Sequence, residues 1–395
     1  MVTRPDSRDT PHLFGLGLKE MLADEITTDL RAIQTQALVD AKSTKRPITR
    51  RLLSKGIEYG HIVANPDGTI DTSQVHGVNS DLRVRPFFAH GGTISIREFV
   101  AGALQNEMGL QAVDPDLMHA ANGGRIVTPS GMVLDGRLDH IEAPPTDNPS
   151  ADPDQDGVAN EIPTSLVDYL EFYLLNYFKP AIYQQTDMTL KGQRLFRRTG
   201  CASCHISDLA LNRDRRVADV ETLYDPVNGV FNNMFATASP LHLNLDDGSG
   251  YPALKPPTQG TFVVKNIYTD FKRHDLGPNF HERNYDGTFQ TEFMTTPLWG
   301  VGSTAPYGHD GRSLNLNEVI LRHGGEAQSA RDAFASLESD DRQALIGFLN
   351  SLVLFPPDDT ASNLDPGDSN TANFPQSGHG SIKLTVLFND PKDHE

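Results

Sequence analysis

Gly200-Cys201-Ala202-Ser203-Cys204-His205 holds the only two cysteines of the 395-residue chain, three positions apart, with a histidine directly after the second. C-x-x-C-H is the attachment signature of a c-type haem. Two thiols bond to the porphyrin edge, and the following imidazole lies under the iron as its proximal ligand. Two other chemistries use paired thiols. A redox dithiol needs no following histidine and usually sits where a strand enters a helix. A structural zinc site needs four nitrogen or sulfur ligands, typically from a second close Cys or His pair, which the sequence does not offer. Haem c is therefore the leading reading, with one haem tethered by Cys201 and Cys204 and ligated by His205.

A six-coordinate haem needs a second axial ligand, whereas a five-coordinate one leaves a face open to peroxide or oxygen. His242, His274, His281, Met294, His309 and His323 all follow the motif, and spacing alone does not choose among them. A second candidate centre is the loop Asp152-x-Asp154-x-Asp156-Gly157. Alternating carboxylates with glycine at the sixth position suit a hard cation, so these three acids are candidate calcium ligands. The twelfth position is Pro163 rather than a bidentate glutamate, so such a site is completed from elsewhere, or the loop is simply acidic and solvated.

The elements that must position these groups are mainly helical. Apolar residues at helical spacing predict a helix from Phe14 to about Leu38, with a break near Asp24. Residues 42–84 are polar and turn-rich, and Asn65-Pro66-Asp67-Gly68 predicts a turn flanked by short strands. Ser95-Ile96-Arg97-Glu98 is a capping box opening a helix that runs to Leu110. Short strands are expected at 125–127 and 132–134, and a mostly apolar, buried helix at 166–178. The haem-bearing helix begins near Thr189 and ends at Gly200. Long loops fill 206–295, then helices follow at 316–322 and 340–354. Residues 357–380 read as a linker, and 381–388 alternate as a strand.

Composition narrows the function classes. Formal charge is −18 and the sequence isoelectric point is about 5.1. That disfavours nucleic acid and anionic membranes as partners, and suits a basic redox partner or a small substrate. Mean hydropathy is −0.41, and no run approaches the ~18 apolar residues of a membrane span. Haem c is attached outside the cytoplasm, so a periplasmic or secreted location is expected. The first ten residues carry charge but no apolar run, so an export signal is expected to precede them.

Three phrases follow the C-x-x-C-H in order: Thr296-Pro-Leu-Trp-Gly300, Ala305-Pro-Tyr-Gly-His-Asp-Gly311 and His323-Gly-Gly-Glu-Ala327. With Pro11-His-Leu-Phe-Gly-Leu-Gly-Leu18, Tyr268-Thr-Asp-Phe-Lys-Arg-His-Asp-Leu-Gly277 and Asp154-Gln-Asp-Gly-Val-Ala-Asn-Glu161, they resemble the bacterial di-haem cytochrome c peroxidase (MauG-like) superfamily. The resemblance is closest to its di-haem oxidoreductase branch and spans roughly residues 10–356. It implies a distal ligand a short way past the His-Asp-Gly phrase. Counting on from Gly311, 323 − 311 = 12, that register lands on His323. His309, with Asp310, is implied to lie beside the haem edge, bonding propionates or orienting a ligand.

The same resemblance implies two cytochrome-c-like domains with long loops and a few short strands. The expected division is an N-terminal peroxidase-type domain over 10–182, a C-terminal cytochrome c domain over 183–356, and a linker with a terminal strand over 357–395. In the superfamily a second, peroxidase-type haem has its own C-x-x-C-H upstream of the Leu-Phe-Gly-Leu-Gly phrase, near which this sequence starts. Either an upstream segment supplies that haem, or this is a one-haem relative. Residues 88–99 and 105–108 resemble the stretch carrying the peroxidases' distal Gln and Glu. Glu107 matches the acid and His90 is a second catalytic candidate, while Phe99 stands at the Gln position. The implied function is electron transfer through the Cys201/Cys204/His205 haem towards a peroxide or organic substrate. The alternative is a single-haem electron carrier with a degenerate first domain.

Overall fold

The computed structural model describes residues 9–216 and 260–354, apart from positions 145, 154, 178, 179, 183, 184 and 285. Asp154, His242, the expected linker and the strand at 381–388 lie outside the described residues. Helices hold more of the described chain than strands, and every paired strand runs antiparallel.

The first helix, α1 (Leu16–Thr44), is continuous through the break expected near Asp24. Thr27 and Thr28 there return their hydroxyls to the carbonyls of Ala23 and Asp24, so their polar groups are satisfied within the helix instead of ending it. Its buried face (Met21, Leu22, Ile26, Leu30) packs on a three-stranded meander, β1 (Ile48–Ser54), β2 (Ile57–Ala64) and β3 (Ile70–Val75). Lys55 and Gly56 both have positive φ between β1 and β2, as a tight type I′ hairpin requires. Asn65 to Gly68 turns β2 into β3, with the Gly68 N–H donating to the Asn65 carbonyl.

Helix α2 (Ile96–Met108) has the reciprocal Ser95–Glu98 capping box that its sequence predicts. A helix not foreseen, α3 (Pro115–Ala121), follows an Asp114 cap with proline in its first turn. Strands β4 (Arg125–Val127) and β5 (Val133–Asp135) lie close to where short strands are expected and pair with each other antiparallel. Helix α4 (Thr164–Asn176) buries only one face, through Val167, Glu171, Leu174 and Leu175. Tyr169 and Tyr173 are 72% and 56% exposed, so its apolar composition does not make it the wholly buried helix expected.

After the short strand β6 (Ala181–Ile182) comes α5 (Asp187–Arg198), capped by Thr186 and Thr189 reciprocally. Two more strand pairs follow, β7 (Leu209–Leu211) with β8 (Phe262–Val264), and β9 (Arg273–Asp275) with β12 (Glu292–Met294). Between the latter two lies the hairpin of β10 (Glu282–Arg283) and β11 (Phe289–Gln290). Helices α6 (Leu316–Arg322), α7 (Gln328–Ala335) and α8 (Ser339–Asn350) complete the described chain, with β13 (Leu352–Val353) pairing back to β6.

Helix α5 lies directly against α8. A Cβ at Gly192 would stand 1.9 Å from the Ala344 carbonyl oxygen, so only glycine permits this approach. Leu195, Phe196, Leu345, Phe348 and Leu349 form the core between them. The largest apolar cluster crosses the expected domain boundary. It joins α1 and the meander to Leu209, Leu211, Val264, Ile267, Phe271, Met294 and Trp299.

Candidate haem site

Helix α5 ends at Thr199, and Gly200 at φ 90 turns the chain into a short 3-10 turn over Cys201–Ser203. The His205 N–H donates to the Cys201 carbonyl at 3.0 Å, closing the motif on itself. Burial pushes the Cys201 thiol above its ordinary pKa. A redox dithiol needs the opposite, a thiolate held low by a helix start or nearby cations, so this environment suits a tether better than a nucleophile.

The His205 ring is oriented from behind. Its Nδ1 lies 3.0 Å from the Tyr268 carbonyl oxygen, an acceptor, so Nδ1 carries the proton and Nε2 is left with its lone pair. Burial lowers the His205 pKa to about 4, and a positive charge on His323 would lower it further. The imidazole is thus neutral, as ligation requires.

His323 repeats this arrangement. It follows α6 at its C-terminal cap, and its Nδ1 lies 2.7 Å from the carbonyl of Val319, four residues back. Burial again depresses its pKa. Neither Nε2 takes a hydrogen bond among the described residues. A metal-bound histidine has this same signature, with its remote N–H given to a carbonyl or carboxylate that fixes tautomer and ring plane. The other candidate ligands fare differently. Both nitrogens of His274 face carboxylates, Asp270 at 2.9 Å and Glu326 at 2.7 Å. The Nε2 of His281 is 2.8 Å from Asp275. Met294 is buried in the core shared with α1.

Aromatic side chains wall the His323 side. Phe280 meets the His323 ring edge-on, with centroids 5.2 Å apart, and Arg322 lies over the Phe280 face at 4.6 Å. His309 stacks on Phe293 at 4.0 Å, and its Nε2 is 3.7 Å from a Glu282 carboxylate oxygen. Asp310 grips Arg322 through both guanidinium nitrogens at 2.8 and 3.1 Å. Burial would raise the Asp310 carboxyl, but Arg322 outweighs it and holds it low. Asp310 therefore anchors the last residue of the helix that leads to His323. Gly324 and Gly325 pack on backbone as well: a Cβ at Gly325 would stand 2.2 Å from the Asp275 carbonyl oxygen.

The remaining predicted residues do not join this cluster. Glu107 is exposed on the last turn of α2 and makes no hydrogen bond or ion pair among the described residues. Phe99 packs on Phe87 and Phe88, and Phe88 stacks on His90 at 6.4 Å. In the acidic loop, Asp152 accepts the Gly157 N–H and Asp156 accepts that of Val158. Pro163 precedes α4 as its cap.

Sequence reasoning missed Tyr268, Asp270, Val319 and Glu326. The Val319 contact was recoverable, since a side chain four residues on from a helix carbonyl can reach it. The Tyr268 carbonyl was not, because a backbone group 63 positions away leaves no mark in residue type.

The donor set fits a covalently held haem: two thiols on one short turn, and two neutral imidazoles whose Nδ1 atoms are fixed by carbonyls. No helix among the described residues is long and apolar enough to cross a membrane. Residues 246–352 match the family model described as "Di-haem oxidoreductase, putative peroxidase". No curated protein matches the chain. Among solved structures it is similar to a MauG-like protein associated with microbial copper homeostasis, at 11% identity over 89% of this chain and 91% of that one. The TM-score of that match is 0.30. The phrases Tyr268–Gly277, Thr296–Gly300, Ala305–Gly311 and His323–Ala327 all lie within the matched residues 246–352, so this part of the chain is similar to the di-haem oxidoreductase family.

Proposed function

We propose that the chain is an extracytoplasmic c-type haem oxidoreductase. In this reading Cys201 and Cys204 would tether one haem, and His205 and His323 would bind its iron. The observation that carries it is the matched pair of imidazoles, each with Nδ1 given to a backbone carbonyl, Tyr268 for one and Val319 for the other. Bound there, a haem supplies a one-electron ferric/ferrous couple, at a lower potential than His/Met ligation gives.

The chain's own residues then have definable tasks. Tyr268 and Val319 hold the protons on Nδ1 and fix the ring planes. Phe280 and Phe293 keep water from the His323 side. The Asp310–Arg322 pair anchors the end of α6. Electrons from a redox partner protein pass towards a site for peroxide or an organic substrate, for which Glu107 and His90 are the candidate catalytic groups. Two cytochrome-c-like units, 10–182 and 183–356, would carry these two roles. Asp152, Asp154 and Asp156 are proposed calcium ligands in the first. A single-haem electron carrier is the second reading, and the exposed position of Glu107 favours it.

Intact mass and a pyridine haemochrome spectrum of protein made in a periplasmic host count the haems. One haem per chain is expected, and none would end both readings. His323→Ala should convert a low-spin ferric spectrum to high-spin; an unchanged spectrum would exclude His323 as ligand. Turnover of peroxide by the reduced protein separates the enzyme from the carrier.

A further inference from the structure

The segment Tyr268–Gly277 meets His205 at one end and the residues directly after His323 at the other. At its start, the Tyr268 carbonyl holds His205 Nδ1, and the Ile267 and Thr269 N–H groups donate to Ser207 and Ile206 beside the motif. At its end, the Leu276 carbonyl accepts the Gly324 N–H at 2.9 Å, next to His323. A Cβ on Gly277 would lie 3.1 Å from the Gly325 nitrogen, so the two backbones are in direct contact.

His274 closes this frame. Its Nε2 faces Asp270 at 2.9 Å and its Nδ1 faces Glu326 at 2.7 Å. The second Glu326 oxygen accepts the Asp275 N–H at 3.0 Å. Asp270 is itself fixed, its side chain by the Lys272 N–H and its carbonyl by the Tyr59 hydroxyl. His274 and Asp270 are 6% and 2% exposed, and Cys204 Sγ belongs to the same tight grouping. Hydrogen bonds between an imidazole and carboxylates in such a place are charge-assisted and directional. The bridge therefore runs from the segment orienting His205, through His274, to the loop that follows His323.

We infer that His274 is a positioning residue: with Asp270 and Glu326 it sets the distance and angle of the His323 loop relative to the His205 segment, and so keeps His323 on the iron. The inference rests on the haem reading proposed above. Without the bridge, the Gly324-Gly325 pair directly after His323 gives the loop the backbone freedom to carry that imidazole off the iron.

The test uses the haem-loaded ferric protein and cyanide, which must displace the distal ligand to bind. The wild-type protein should be low-spin; a wild-type protein lacking haem, or high-spin, overturns the haem reading and this inference with it. Given a low-spin wild type, His274→Leu should take up cyanide at least ~10-fold faster and show a high-spin fraction, the scale expected for losing a charge-assisted hydrogen bond. His274→Gln, which keeps one bond, should restore part of the wild-type rate. Arg97→Met, remote from the site, should lower thermal stability without changing the cyanide rate, which separates positioning from general loosening. Should His274→Leu fail to load haem, Glu326→Gln decides, since that side chain is 55% exposed and tolerant of change. Wild-type cyanide rates and spectra in the loaded variants would overturn the inference.

Discussion

Gly192→Ala tests whether α5, the helix that delivers the haem motif, is held by backbone contact with α8. Adding a methyl group to a helix glycine normally stabilises by about 1 kcal/mol, through propensity alone. Here the new Cβ would stand 1.9 Å from the Ala344 carbonyl oxygen and 2.7 Å from the Phe348 Cβ. The oxygen is backbone, so no rotamer relieves the clash, and the helices must part by roughly an ångström, which forfeits a quarter to a half of each dispersion contact across the seam. Leu195, Phe196, Leu345 and Phe348 share that loss. Overpacking of this kind costs about 1–3 kcal/mol net, and Tm should fall by several degrees. Gly102→Ala in α2 is the matched control. Its nearest neighbour would be the Asn106 side chain at 3.9 Å, in open space, so the same substitution should stabilise by ~0.5–1 kcal/mol. Thermal melts followed by circular dichroism read both. If Gly192→Ala melts at or above the parent temperature, the account of the α5–α8 seam is wrong.

Lys19 is 8% exposed, lies 5.5 Å over the Phe87 ring, and burial lowers its pKa to about 8. The unfolded chain holds that proton up to about 10.5, so below pH 8 the buried charge costs about 3 kcal/mol, and the penalty fades as pH rises from 8 to 10.5. Lys19→Met should therefore melt higher than the parent at pH 7, with the gap closing by pH 10.5; a constant gap would deny that the charge is the cause. Arg97, 1% exposed, pairs with Asp114, Asp168 and Glu171 at 2.6, 2.7 and 3.1 Å. Arg97→Met strands two wholly buried carboxylates and should cost ~3–5 kcal/mol in denaturant unfolding. Tyr59→Phe removes a hydrogen bond of 2.9 Å to the Asp270 carbonyl and should cost about 1 kcal/mol, measured the same way.

How legible each feature was follows the range of the interaction behind it. The Ser95–Glu98 box, the Asn65–Gly68 turn and the α5 end at Gly200 depend on neighbours within a few positions, and side-chain type announces them. The break expected at Asp24 did not occur, because Thr27 and Thr28 satisfy themselves on the preceding turn and Asp24 pairs with Arg83 across 59 positions. Helix α4 looked buried from its composition, yet burial is set by what covers it, and its tyrosines face outward. The C-x-x-C-H was plain. The tautomer of His205 was not, because the carbonyl that fixes it comes from a distant loop, whereas that of His323 is set four residues back.

The shared core also bears on what the chemistry can be coupled to. Tyr59, on β2 of the N-terminal meander, donates to the Asp270 carbonyl, and Asp270 lies two residues after the carbonyl that orients His205. Trp299, in the phrase preceding the His-Asp-Gly turn, gives its carbonyl to His12 at 3.1 Å, just before α1. His12 is satisfied on both sides, since its Nδ1 accepts the Phe14 N–H, and burial lowers its pKa to about 4. The neutral ring is thus a fixed strut rather than a titrating group. The N-terminal elements therefore reach the His205 segment through a tyrosine hydroxyl and the C-terminal phrases through a histidine, and both contacts rest on one continuous apolar core. Close-packed cores of this kind transmit displacement instead of absorbing it. A change in the N-terminal half thus has a physical route to the imidazole planes, and it runs through the backbone of residues 268–270.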